Sequence, residues 1–155
     1  MVKPITVRLL QSPARLYDWH MGWLLGHRFL RLTHVGRKSG RQYRTILEVI
    51  ATDAATHEMF VLVGQGPQAD WYRNLQANPA VELAIGRERY LPDHRVLPAA
   101  EAAAVLADYE RRTRLVAPVV RRVLSWLVGW SYDGSDEARR RLVRERPIVA
   151  FRPAG

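Results

Sequence analysis

The sequence predicts an α+β barrel carried by one domain over residues 1–155, and three observations predict it. Short apolar and β-branched runs recur through the chain, each stopped by turn residues. Helical patterns are interleaved with them too irregularly for a Rossmann-type alternation. A chain of 155 residues, 48% hydrophobic and 25% charged, can bury one sizeable core and lies far from the composition of disorder. No internal repeat or low-complexity linker divides it.

The first expected element is a helix opened by Ser12-Pro13, with Ser as N-cap and Pro at the first helical position. Leu16, Trp19, His20, Trp23, Leu24 and His27 share one face of it. Phe29 to Val35 then reads as a strand, halted by the loop Gly36-Arg37-Lys38-Ser39-Gly40. Arg44 to Thr52 is a β-branched strand, Thr56-His57 a turn, and Met59 to Val63 a buried strand.

Gly64-Gln65-Gly66-Pro67 breaks that strand, and Asp70 to Leu75 reads as a short helix stopped by Asn78-Pro79. Val81 to Ile85 and Arg87 to Val96 flank Gly86 as a hairpin, with Pro92 better suited to an edge than to a central strand. Pro98 starts an Ala-rich helix running through Arg112. A second apolar helix covers Val119 to Val128, interrupted early by Pro118, and a third covers Asp133 to Glu145 with acidic residues in its first turn. Ile148 to Phe151 gives the last strand.

Composition removes several kinds of chemistry. The absence of cysteine excludes disulfides, thiolate nucleophiles, iron–sulfur clusters and Cys-type zinc sites. No H-E-x-x-H, G-x-S-x-G, Walker or G-x-G-x-x-G motif is present. His20 and His27 lie seven apart without an adjacent third ligand, so no metal site is expected. The chain has no signal-peptide pattern, and its longest apolar stretch, Leu115 to Trp130, is broken by Pro118, Arg121 and Arg122, which makes the cytoplasm the default location.

The formal charge of +9, nearly all of it arginine, favours anionic partners without choosing among nucleic acid, anionic lipid and a phosphorylated cofactor. Nucleic acid is set aside because no helix-turn-helix, RNP-like or aromatic-basic repeat accompanies the charge. The Gly36–Gly40 loop offers backbone N–H groups, a hydroxyl and two cations as an anion cradle, and reads equally as a solvated basic turn. Trp71 and Tyr72 offer a flat surface beside a helix N-terminus, or simply core packing.

Taken together, "LTHVGRKSGRQYRTILEV", "VLVGQGP" and "DWYRNLQANPAVEL" resemble the deazaflavin-dependent nitroreductase and F420H2-dependent quinone reductase family, strongly over Phe29 to Val96. The resemblance implies a split β-barrel of FMN-binding type, mostly antiparallel, with an N-terminal helix, a short aromatic helix and C-terminal helices. It also implies coenzyme F420 as cofactor, with FMN as the alternative, and transfer of a hydride from the reduced deazaflavin to a small electron acceptor such as a quinone, a nitroaromatic or an activated enone. On the family pattern Arg37, Lys38 and Ser39 meet the phosphate and tail. Tyr43, Arg44, Thr45, Ile46, Leu47 and Glu48 run under the ring, Val63, Gly64 and Gln65 border it, and Asp70, Trp71, Tyr72, Arg73 and Asn74 close the other side.

The chain departs from that pattern where many relatives carry Pro-Arg and it has Gln42-Tyr43, and where some carry a lysine and it has Gln65. Tail recognition then falls to Arg37, Lys38, Arg44 and Arg73. No side-chain acid or base is fixed by the sequence, and Tyr17, His27, Tyr109 and Tyr132 are the candidate proton donors. The apolar helices, Trp19/Trp23 and Val119 to Trp130 with Arg121 and Arg122, pack on the barrel, form a homodimer interface, or touch a membrane surface peripherally, and they motivate the alternative reading of a non-enzymatic lipid- or membrane-surface module or FMN-binding split-barrel protein.

Overall fold

Strands β1 (Phe29–Val35) and β2 (Gln42–Asp53) pair antiparallel from Phe29↔Glu48 to Val35↔Gln42, and their alternation sets the two faces of the sheet. Leu30 and Leu32 of β1 point to the same side as Leu47 of β2, where they are buried, while Arg31 and Ile46 point to the other. The computed structural model describes residues 29–155. The helix expected around Leu16 to His27 lies outside those residues.

Five further strands extend the sheet: β3 (Glu58–Leu62), β4 (Glu82–Ile85), β5 (Glu88–Tyr90), β6 (Pro92–Val96) and β7 (Ile148–Pro153). The order is β5-β4-β1-β2-β3-β7-β6, and every pairing is antiparallel. The strand expected over Arg87 to Val96 is two strands: β5 pairs with β4, whereas β6 pairs with β7 at the opposite end of the sheet. Pro92 has no N–H to donate, so the chain changes partners at Leu91 and Pro92 lands on an edge. Because β5 and β6 are consecutive in the chain, the two sheet edges meet there and the barrel nearly closes; Ala154 N–H donates to Leu91 O at 2.9 Å.

A bulge in β2 divides the core. Val49 faces Val61 and Ala51 faces Phe60, so Ile50 is the extra residue, and Ile50 and Ala51 end on the same side. Before the bulge Leu47 and Val49 pack into the barrel with Leu30, Leu32, Val61, Val63, Leu83 and Phe151. After it, Ile50 and Ala51 join Phe60, Ile148 and Ala150 against a helical layer.

Four helices are described: α1 (Asp70–Ala77), α2 (Ala99–Arg112), α3 (Ala117–Val128) and α4 (Asp136–Glu145). Leu106, Leu124 and Leu142 carry the apolar faces of α2, α3 and α4 into the second core. Pro118 does not interrupt α3; it sits in the first turn, where a missing N–H costs nothing, and a 3₁₀ turn over Arg114–Val116 precedes it. The third C-terminal helix starts at Asp136 and not at Asp133, because Ser135 caps it by accepting from Ala138 N–H at 3.1 Å. No helix among the described residues is long and apolar enough to cross a membrane.

Candidate functional site

A groove of about 460 Å³ opens where the inward row of β1 and β2 leaves the core. The row runs Leu30/Leu47, Leu32/Thr45 and His34/Tyr43, from fully apolar to polar, so the barrel interior becomes a binding surface at the end next to the Gly36–Gly40 loop. Arg37, Lys38, Ser39, Tyr43, Arg44, Thr45, Gln65, Asp70, Trp71 and Asn74 line the groove, together with His34 and Gly36.

The loop closes on itself. Gly36 N–H donates to Arg41 O at 2.7 Å and Gly40 N–H to Gly36 O at 2.9 Å, and Gly40 takes φ +72°, which favours glycine. A Cβ on Gly36 would stand 2.6 Å from Ser39 Oγ and 2.8 Å from Tyr43 Cε2. The two glycine N–H groups that the sequence offered to a cradle are therefore spent inside the loop. Ser39 Oγ accepts from Arg41 N–H at 3.2 Å and lies 3.2 Å from the Tyr43 hydroxyl.

Helix α1 faces the loop across the groove. Trp71, Tyr72 and Leu75 bury its apolar face in the barrel core, which turns Asn74 inward as well; it is only 4% exposed. Asn74 Oδ1 accepts from Arg37 N–H at 3.0 Å and from Arg37 Nη1 at 2.9 Å, and Asn74 Nδ2 is 3.0 Å from His34 Nδ1. The exposed Asp70 carboxylate takes a bond of 3.3 Å from Arg37 Nη2. Burial pushes the His34 pKa below its ordinary value, outweighing the opposite pull of Asp70.

Seven of the residues expected at the site stand outside the groove lining. Leu47, Val63 and Tyr72 pack in the barrel core, and Ile46 sits on the outer face with Ala84 and Phe29. Glu48 and Arg73 are exposed on the outside, and Gly64 borders Leu127 of α3. Tyr109 and Tyr132 lie in the helical layer, not the groove, and Tyr17 and His27 fall outside the described residues. His34 lines the groove and is not among the residues that the family pattern assigns to the cofactor. The available signal was its place two residues before the glycine loop, on the same strand face as Leu30 and Leu32.

Residues 14–123, well over half of the chain, match the model of the F420H(2)-dependent quinone reductase family. The chain belongs to that family. It is accordingly an oxidoreductase of F420-dependent type, with coenzyme F420 as the cofactor. A curated Mycobacterium tuberculosis protein, provisionally named as an F420H(2)-dependent quinone reductase, is 27% identical over 124 residues, covering 80% of this chain and 88% of that one. Two solved structures share the fold. A chain described as a domain-swapped dimer gives a TM-score of 0.51 at 18% identity, over 96% of this chain and 99% of that one. A pyridoxamine 5′-phosphate oxidase-related, FMN-binding protein of Nostoc punctiforme gives 0.50 at 14% identity, over 98% of this chain and 81% of that one. They place the nearly closed antiparallel sheet among split β-barrels.

The donor set fits a phosphorylated ligand with a planar ring. Arg37 lines the groove with its side chain 21% exposed, and its bonds to Asn74 and Asp70 fix the direction of the guanidinium. Lys38 and Arg44 stand on the same rim against the single carboxylate of Asp70. Trp71 supplies an aromatic edge to the wall.

Proposed function

We propose that this reductase holds coenzyme F420 in the groove between the Gly36–Gly40 loop and α1, and that a quinone is its electron acceptor. The observation that carries the reading is Arg37, its guanidinium fixed by Asn74 and Asp70 on a groove rim shared with Lys38 and Arg44. Guanidinium and ammonium groups so placed bind a phosphate and an anionic tail. Bound in reduced form, the deazaflavin supplies a hydride.

The residues orient and shield. Arg37, Lys38 and Ser39 hold the anionic side of the cofactor, and Thr45 and Trp71 lie farther in, where the groove meets the apolar interior. Fixing donor and acceptor in one geometry removes much of the entropic part of the barrier. Nitroaromatics and activated enones accept the same two electrons and belong to the reading as secondary acceptors. The test is oxidation of reduced F420 by the purified protein on addition of menadione, a nitroaromatic or an enone. Turnover with menadione supports the reading; turnover with none of the three, at saturating cofactor, overturns it.

A second element of the reading concerns where the acceptor comes from. Leu115, Val116, Val119, Val123 and Trp126 form an exposed apolar stripe along the 3₁₀ turn and α3, and Leu115 is 93% exposed. Arg114, Arg121 and Arg122 flank it, and no acidic residue occurs from Arg111 to Tyr132. That pairing of apolar stripe and cationic rim suits an anionic bilayer surface. The end of the helix is tied to the segment that precedes Gln65 of the groove wall, because Arg146 bridges Leu127 O at 2.9 Å and Gly64 O at 3.0 Å. Co-sedimentation with anionic vesicles, lost in Val119→Asp/Trp126→Asp, supports this contact. Retention by that variant refutes it, and a concentration-dependent dimer abolished by the same changes assigns the stripe to a second copy.

A further inference from the structure

Asn74 and His34 fix each other's hydrogen-bonding sense. Arg37 presents two donors, its main-chain N–H and Nη1, so the Asn74 atom facing them must be the acceptor, Oδ1. The amide nitrogen then faces His34 Nδ1 at 3.0 Å, and an amide nitrogen only donates. His34 Nδ1 is therefore the acceptor, and its ring proton sits on Nε2. Reversing either group sets donor against donor.

We propose that His34 is a positioning residue, which as a neutral imidazole locks the Asn74 amide and through it holds both the main chain and the guanidinium of Arg37 at the rim of the groove. The chain of contacts crosses three elements, from β1 through α1 to the glycine loop. His34 is 3% and Asn74 4% exposed, so water cannot easily replace a lost bond. Tyr43 of β2 stacks on the ring, with centroids 6.0 Å apart.

Protonation of His34 places a donor on Nδ1. Asn74 must then turn, and both of its bonds to Arg37 are lost. The charged groups around the ring are Asp70 on α1, Arg37 and Lys38 on the loop, and Arg44 on β2. Burial keeps the neutral form dominant near neutral pH. Added positive charge alone would strengthen binding of an anionic ligand, whereas this network weakens it on acidification, and the opposite signs separate the two effects.

The inference rests on the groove being the cofactor site, and the experiment keeps the two apart. The intact chain and its His34→Asn and His34→Leu variants are titrated with oxidised F420 between about pH 8 and about pH 5. Asn offers Oδ1 near the place of Nδ1 and is expected to bind within about threefold of the natural protein, while Leu weakens binding by about tenfold or more. The natural protein loses affinity on acidification and the Asn variant does not. Equal binding by the Leu variant, or the same pH dependence in the Asn variant, overturns the proposal. In the protein without ligand, ¹⁵N NMR is expected to show the Nε2–H tautomer, with Arg37 N–H exchange faster in the Leu variant only. If F420 does not bind, the cofactor-site reading fails, and this NMR result alone decides whether His34 positions Arg37; an Nδ1–H tautomer or unchanged exchange refutes it.

Discussion

His34 and Tyr43 are direct partners across the β1–β2 ladder, and their rings stack with centroids 6.0 Å apart and planes 28° from parallel. The Tyr43 hydroxyl then reaches Ser39 Oγ at 3.2 Å, so one cross-strand pair ties the barrel mouth to the glycine loop. Tyr43 therefore serves the groove as a support for the loop and contributes no cation to its rim.

Tyr43 lines the groove beside Arg37, Lys38 and Arg44, so Tyr43→Arg adds a cation there and is expected to raise affinity for F420 while leaving affinity for its phosphate-free, tail-free deazaflavin analogue unchanged. The side chain is 45% exposed, so the gain is modest, roughly threefold to fivefold, and falls with added salt. Parallel titrations with the two ligands measure it, and an equal change in both contradicts the assignment of this rim to the tail.

Gly36→Ala forces a Cβ to within 2.6 Å of Ser39 Oγ and 2.8 Å of the Tyr43 ring. Relief requires moving both, at a cost of about 1–3 kcal/mol. Denaturant unfolding should show that loss together with weaker cofactor binding; unchanged values for both would mean the loop is not held as described.

Much of this architecture is legible in the sequence, for physical reasons. Strand β2 declares itself through β-branched residues and β1 and β3 as short runs bounded by turn residues, while Pro98 and Asn78-Pro79 mark helix ends. Arg87 to Val96 misleads because residue alternation is blind to partner: only pairing shows that β5 and β6 sit at opposite edges. In the site, the blocks around Arg37 and Trp71 are visible as motifs. Their division into lining and core is not, since Tyr72 and Asn74 are both buried and only one borders the groove. His34 reads as an ordinary strand residue until Asn74, forty positions away, is placed beside it.

Acid should expose a second set of contacts. Arg95 on β6 bonds the 7% exposed Glu58 of β3 at 2.7 and 3.0 Å and also Glu101 of α2, and its hydrogen bonds lower the pKa of both carboxyls below the ordinary 4.5. Carboxyls with lowered folded values bind fewer protons folded than unfolded, so their stabilisation is complete above about pH 4.5 and is lost as pH falls through the lower folded values. Thermal melts of the natural protein and Arg95→Met between about pH 7 and about pH 3 should converge at the acid end. A constant gap contradicts the linkage.

Tyr132 is buried in the helical layer, with burial pushing its pKa up, and does not border the groove. Tyr132→Phe is expected to keep kcat/KM within about twofold for menadione. A loss of about a hundredfold at unchanged stability would make the hydroxyl a proton donor and require a different acceptor site.

The most direct test of the central claim is a fluorescence titration of the intact protein with F420, FMN and FAD, repeated on Arg37→Ala. Trp71 in the groove wall is the built-in reporter. Saturable F420 binding, tighter than FMN or FAD and weakened about tenfold or more by Arg37→Ala, is the predicted result. Preferential FMN binding, or F420 binding indifferent to Arg37→Ala, would contradict the groove as the site of this reductase's cofactor.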